Sequence, residues 1–204
     1  MKYSPVPLAV VFCLVSAFLL AQHHPREAPK SSQLRPDDGK LTGNVYSNTY
    51  FGFSYPLGDG WFANEEIMQA NSLTFQMPGR FYLLTADRHT GGPNRERILM
   101  IAEDAAAYRP RITVKKFALK VVHAQAKNPT IEVIHEAYAV DYAGKHFYRS
   151  DYRENYSGGS LHKAFVATEW KGYLLSWVFV ADSEKRVTDL VNSLQGLSFV
   201  ADHK

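Results

Sequence analysis

The chain has 204 residues, 46% of them hydrophobic, and carries 23 lysines and arginines against 20 aspartates and glutamates. That is enough apolar material for one sizeable core, and the near-neutral balance argues against a nucleic-acid partner, which would call for a marked basic excess. The single cysteine, Cys13, rules out an internal disulfide and lies in a segment expected to be removed, which leaves no thiolate catalysis and no cysteine-ligated metal in the mature chain.

Lys2 precedes an uncharged run of 14 residues from Leu8 to Ala21. Such a run suits the apolar region of a secretory signal and falls short of the roughly 20 residues of a helical span. The sequence therefore predicts a Sec-type signal peptide over 1–21 and a periplasmic or extracellular protein. Leu19 departs from the small-residue rule before the cleavage point, so the alternative is an uncleaved N-terminal anchor that holds the domain at the membrane surface. Removal of 1–21 leaves 22 basic and 20 acidic residues. Residues 22–44 contain Pro25, Pro29 and Pro36 with few apolar side chains and read as a flexible tether, so a single domain is expected over 45–204.

In Asn48 to Trp61, Phe51, Phe53 and Tyr55 alternate with small residues and share one face of a strand. Pro56 and Leu57-Gly58-Asp59-Gly60 end it in a turn that returns Trp61 to the same core. The segment Ala63–Ala70 is mixed, and Ser72–Arg80 reads as irregular. Phe81–Asp87 and Arg97–Glu103 are apolar strands joined through Thr90-Gly91-Gly92-Pro93-Asn94. A helix is predicted over Thr113–Asn128, capped by Thr113, with Val114, Phe117, Ala118, Val121 and Val122 as its core stripe. The period then changes to two. Ile131–Tyr142, His146–Tyr156, Leu161–Trp170 and Tyr173–Ala181 are separated by turns so short that the strands must form an antiparallel meander. Leu174–Val180 is apolar on both faces apart from Ser176, so both faces should be covered. A second helix begins at Ser183 with the stripe Val187, Leu190, Val191 and Leu194; Gly196 is placed to cap its C-terminus, and Leu197–Val200 forms a closing strand. Together these elements predict an α+β fold, an antiparallel β-sheet covered by helices.

With these elements placed, the chain resembles the Mog1/PsbP-like fold, an α/β/α sandwich, over about Val45 to Val200. The resemblance is carried by Tyr50-Phe51-Gly52-Phe53-Ser54-Tyr55-Pro56 ending at Trp61, and by Gly172-Tyr173-Leu174-Leu175-Ser176-Trp177-Val178-Phe179 followed by the Ser183–Leu194 helix and Leu197-Ser198-Phe199. Members of that group are accessory and binding proteins, such as an extrinsic photosystem subunit and a GTPase-binding factor. The resemblance implies a non-enzymatic binding domain and carries no partner-binding residues onto this sequence.

Two polar rows are candidate sites. Arg149, Asp151 and Arg153 share one strand face, opposite His146, Tyr148, Tyr152 and Tyr156. The row suits a carboxylate or phosphate ligand, because arginine offers a planar fork to such groups; it equally suits a row of ion pairs on a wet sheet face. On the first helix, Lys116, Lys120, His123 and Lys127 form a basic ridge opposite the apolar stripe, either a contact for anionic partners or lipid headgroups or an ordinary solvated face. His135, His146 and His162 fall on consecutive strands without metal-ligand spacing, and Gln22-His23-His24 would offer a terminal copper or nickel site only after cleavage at Ala21. No Gly-x-Ser-x-Gly, phosphate loop or dinucleotide fingerprint is present; Ser157-Gly158-Gly159-Ser160 reads as a hairpin, and the pairs Glu65-Glu66 and Glu103-Asp104 point to opposite faces if extended. The expectation is an exported binding or accessory domain with no cofactor and no metal, whose partner is a protein or small molecule of the cell envelope. The rival classes are a membrane-surface factor and a hydrolase with a site assembled from distant residues.

Overall fold

The computed structural model describes residues 34–64, 77–89 and 95–200. Two antiparallel sheets are built from eleven strands in these residues. The smaller has the order β1-β2-β3-β11, with β1 Lys40–Thr42, β2 Val45–Asn48, β3 Phe53–Pro56 and β11 Ser198–Phe199. The larger has the order β4-β5-β6-β10-β9-β8-β7, with β4 Trp61–Ala63, β5 Arg80–His89, β6 Arg95–Asp104, β7 Ile131–Tyr142, β8 Lys145–Tyr156, β9 Gly159–Trp170 and β10 Tyr173–Ala181. Helix α1 is Val114–Gln125, capped by the Thr113 side chain, and helix α2 is Glu184–Asn192, capped by Ser183.

The meander forms as the turns require. Ala143-Gly144 and Lys171-Gly172 all have positive φ, between 49° and 80°, which is the twist that two-residue hairpins need. β10 lies at the centre of the large sheet, and its alternation splits the core in two. Leu174 packs with Phe165, Ala167 and Tyr152 under Phe117, Ala118 and Val122 of α1. Leu175, Trp177 and Phe179 face the other way, toward Val187, Leu190 and Val191 of α2 and the aromatics of the small sheet. The layers are therefore α1, the seven-stranded sheet, and a mixed layer of α2 with the small sheet.

The aromatic face around Phe51, Phe53 and Tyr55 is buried as expected, and it meets β10: Phe51 lies 5.2 Å from Tyr173 and Phe53 6.3 Å from Trp177 between ring centroids. Three features differ from the sequence reading. β3 begins only at Phe53, because Asn48 to Gly52 forms a turn in which Gly52 has φ +65° and Asn48 Oδ1 accepts from the Phe51 N–H at 3.0 Å. The expected start near Val45 falls inside a hairpin: β1 pairs with β2, and buried Asn48 donates to the Pro36 carbonyl at 2.7 Å, so the end of the expected tether packs on the sheet. Gly196 does not serve as a left-handed cap. It ends a 3-10 turn, Ser193–Gly196, where a Cβ would stand 2.6 Å from Pro56 Cγ, so a close approach requires glycine there. The signal region, Gln22-His23-His24, Glu65-Glu66 and the 90–94 loop lie outside the described residues.

Candidate functional site

The first turn of α2 crosses the β7-β8-β9 side of the large sheet and roofs a cavity of about 270 Å³. Its floor includes Arg149, Asp151 and Arg153 of β8, the row singled out from the sequence, with His162 and Lys163 of β9 beside them. β7 contributes Ile134, His135 and Tyr138, and α2 contributes Glu184, Val187 and Thr188. The β7 residues reach the cavity because the strand slips register twice against β8, between Val133 and His135 and between His135 and Tyr138. Val133 pairs with Tyr152, which faces α1, whereas His135 pairs with Asp151 and turns toward α2. An extra residue in a strand re-aims the next side chain in this way.

Asp151 organises the floor. Its Oδ1 accepts from Arg149 Nε and ion-pairs with Arg149 Nη2, both at 2.8 Å; its Oδ2 accepts from the Tyr138 hydroxyl at 2.8 Å, with His135 Nδ1 at 3.5 Å. Burial opposes the Arg149 charge, but Asp151 outweighs it and holds the guanidinium more firmly protonated than usual. The Tyr138 hydroxyl is pushed well above the ordinary tyrosine range, first by burial and then by its hydrogen bond to Asp151 and that carboxylate's charge. Arg153 is tied to Glu132 on β7 through Nη2 at 2.5 Å, while its buried Nε has no hydrogen-bond partner. Lys163 pairs with Glu154. The row thus contains ion pairs along and across strands, as one reading proposed, but it is half-buried under α2 rather than wet, and Arg153 keeps a donor to spare. His135 and His162 share the cavity; His146 lies elsewhere, beside Asp141 at 3.0 Å.

The second row is on α1, on the opposite side of the large sheet. Lys116, Lys120, His123 and Lys127 are all exposed, Lys127 just beyond the helix end. Lys120 Nζ stands 4.9 Å from the Tyr108 ring centroid, and His123 Nε2 lies 3.1 Å from Glu136. Of the sequence pairs considered for catalysis, Glu103 is engaged by Arg80 at 2.9 Å and by the Tyr108 hydroxyl, whereas Asp104 accepts from the Ala106 N–H, so the two do not act on one point. Ser157-Gly158 is the turn between β8 and β9. Among the described residues no three histidine, aspartate or glutamate side chains are grouped as metal ligands, and no helix is long and apolar enough to cross a membrane.

No family profile and no curated protein matches the chain. Solved structures do match. The chain is similar to the solution structure of cyanobacterial PsbP (CyanoP) from Synechocystis, with 16% identity over 78% of this chain and 95% of that one and a TM-score of 0.50. This chain has the PsbP-like fold. Weaker likenesses are to a Bacteroides thetaiotaomicron protein, 13% identical over 80% of this chain and 51% of that one at a TM-score of 0.45, and to LpqN of Mycobacterium tuberculosis, described as involved in cell envelope biogenesis, 13% identical over 72% and 83% at 0.42. Identities this low transfer no binding residue to this PsbP-like domain. The cavity was only half visible in sequence: the β8 row was legible, and His162 stands opposite Arg153 in regular pairing, but Tyr138 and the turn of His135 toward the cavity depend on the two register shifts and the α2 roof on helix placement, for which period-two alternation gives no signal.

Proposed function

We propose that this PsbP-like domain is an exported, non-enzymatic accessory protein of the cell envelope that binds a small carboxylate- or phosphate-bearing ligand in the cavity beneath α2. The observation that carries this reading is the gathering of basic side chains in one cavity, where Arg153 lines the wall with Arg149, His135, His162 and Lys163 around Asp151 and Glu184. Arg153 engages Glu132 through Nη2, and its planar guanidinium carries further N–H donors with which an anion in the cavity would form a charge-assisted bond. Ile134, Tyr138 and Val187 give the cavity an apolar wall, which suits a ligand with a hydrophobic part beside its acidic group. Binding fits better than catalysis because Asp151, the carboxylate at the centre of the floor, is already engaged by Arg149 and Tyr138.

The test is thermal unfolding of the full chain in inorganic phosphate and small carboxylates at matched ionic strength, beside Arg153→Gln. At a ligand concentration about 100 times Kd, binding adds about 2.7 kcal/mol, which raises Tm by roughly 5–10 °C in a domain of this size. A rise in the wild type that Arg153→Gln lacks is the expected result. The same rise in both proteins, or none beyond chloride at equal ionic strength, would remove the assignment.

A further inference from the structure

Charge in this chain is unevenly placed. Residues 105–131 hold six of the 23 lysines and arginines and none of the 20 acidic residues, which leaves the remainder with 17 basic against 20 acidic. A near-neutral total thus conceals one strongly basic region, and α1 is its centre. Lys115, Lys116, Lys120 and Lys127 are exposed and none is in an ion pair among the described residues. Acids border this side: Glu136 lies against His123, Glu169 pairs with Arg111, and Glu103 and Asp104 line a cavity with Lys120.

We propose that the outward face of α1 docks on an anionic bilayer surface, with Lys116, Lys120 and Lys127 as its contacts. Two observations favour lipid over an acidic protein. The exposed large hydrophobic residues of the described chain, among them Phe62, Met77, Ile134 and Tyr156, include none on α1, and a protein interface needs such anchors at its centre. The helix charges are lysines, flexible point charges that suit a field of mobile headgroups, rather than arginine forks that suit fixed bidentate partners. Lys116 to Gln125 spans about 14 Å of helix, with Lys127 just beyond its end, long enough to meet several headgroups at once. Because α1 and the cavity lie on opposite faces of the large sheet, a domain docked in this way presents its cavity away from the bilayer.

The experiment measures partition of the full chain onto phosphatidylcholine vesicles with and without added phosphatidylglycerol. Whatever the apolar run contributes is common to both, so the readout is the ratio of the two partition coefficients. That ratio should exceed one, shrink with added salt, and fall about a hundredfold in Lys116→Gln/Lys120→Gln/Lys127→Gln, since each lysine near an anionic surface contributes about fivefold. The corresponding arginine triple variant should keep it, and circular dichroism of each variant checks that the helix is intact. A wild-type ratio of one, or a ratio the glutamine variant retains, overturns the proposal. So does equally tight, lysine-dependent binding to soluble polyglutamate without a vesicle preference, which would assign the face to an acidic protein.

Discussion

Replacing Gly196 by alanine tests whether the 3-10 turn that follows α2 is locked to the small sheet by direct contact. A Cβ at this position would lie 2.6 Å from Pro56 Cγ and 3.3 Å from Cδ, so one side must retreat by nearly 1 Å to reach ordinary van der Waals distance. Neither side yields easily. Pro56 is a rigid ring in β3, paired with Val45, and Gly196 is held between the buried side chains Leu194 and Leu197. Overpacking of this kind costs about 1–3 kcal/mol, and the loss of glycine entropy from the unfolded chain returns about 0.4–1 kcal/mol. The net expectation is a destabilisation of about 1–2 kcal/mol, or a Tm lowered by roughly 2–8 °C. Urea denaturation should show a lower midpoint with an unchanged m-value. Pro56→Ala removes Cγ and Cδ, so in that background Gly196→Ala should become neutral or mildly stabilising. An equal cost in both backgrounds would mean that glycine is needed for its backbone conformation, as in a left-handed helix cap, and would refute the contact explanation.

Two further outcomes follow from the polar groups of the small sheet. Asn48→Ala removes the acceptor of the Phe51 N–H and the donor to the Pro36 carbonyl in a buried setting, a loss of about 2–4 kcal/mol; hydrogen exchange should show protection falling first around 36–42, and unchanged protection there would contradict the tie between this segment and the sheet. Burial pushes the Tyr46 hydroxyl up from 10.0 to about 12, so the folded state favours the protonated form; its stabilisation is complete below pH 10 and is lost as pH rises through about 12. The unfolding free energy of the wild type, from urea titrations, should therefore fall more steeply above pH 10 than that of Tyr46→Phe, by up to about 1.4 kcal/mol per pH unit, whereas parallel curves would show that Tyr46 titrates normally.

The sequence reading succeeded where local chemistry decides structure. Ala143-Gly144 and Lys171-Gly172 leave a chain no choice but a tight antiparallel return, and the alternation between them states which side chains share a face. Thr113 and Ser183 mark helix starts by the hydrogen bonds their side chains accept from Lys116 and Arg186. Alternation does not say which strand will be a partner, so the separation of β1, β2, β3 and β11 into a second sheet was not legible, and a three-residue strand such as β4 is too short to show a period. Asn48 stands at the start of the aromatic stretch, yet its side chain reaches back 12 residues to Pro36, a long-range tie that composition does not reveal. The candidate site divides along the same line. Arg149, Asp151 and Arg153 follow from their spacing, whereas His135 joins them only because β7 carries extra residues against β8. Gly196 shows that a residue can be correctly judged special for the wrong reason: the glycine is required, but by Pro56 rather than by its φ.

A titration of the full chain with inorganic phosphate, followed by backbone amide NMR, tests the central claim most directly. If the cavity beneath α2 is a ligand site, saturating shifts should be confined to residues 134–138, 149–153, 162–163 and 184–188, and Arg153→Gln should abolish them. Shifts that never saturate, or that persist in Arg153→Gln, would contradict a built anion site and leave Arg149, Asp151 and Arg153 as structural ion pairs.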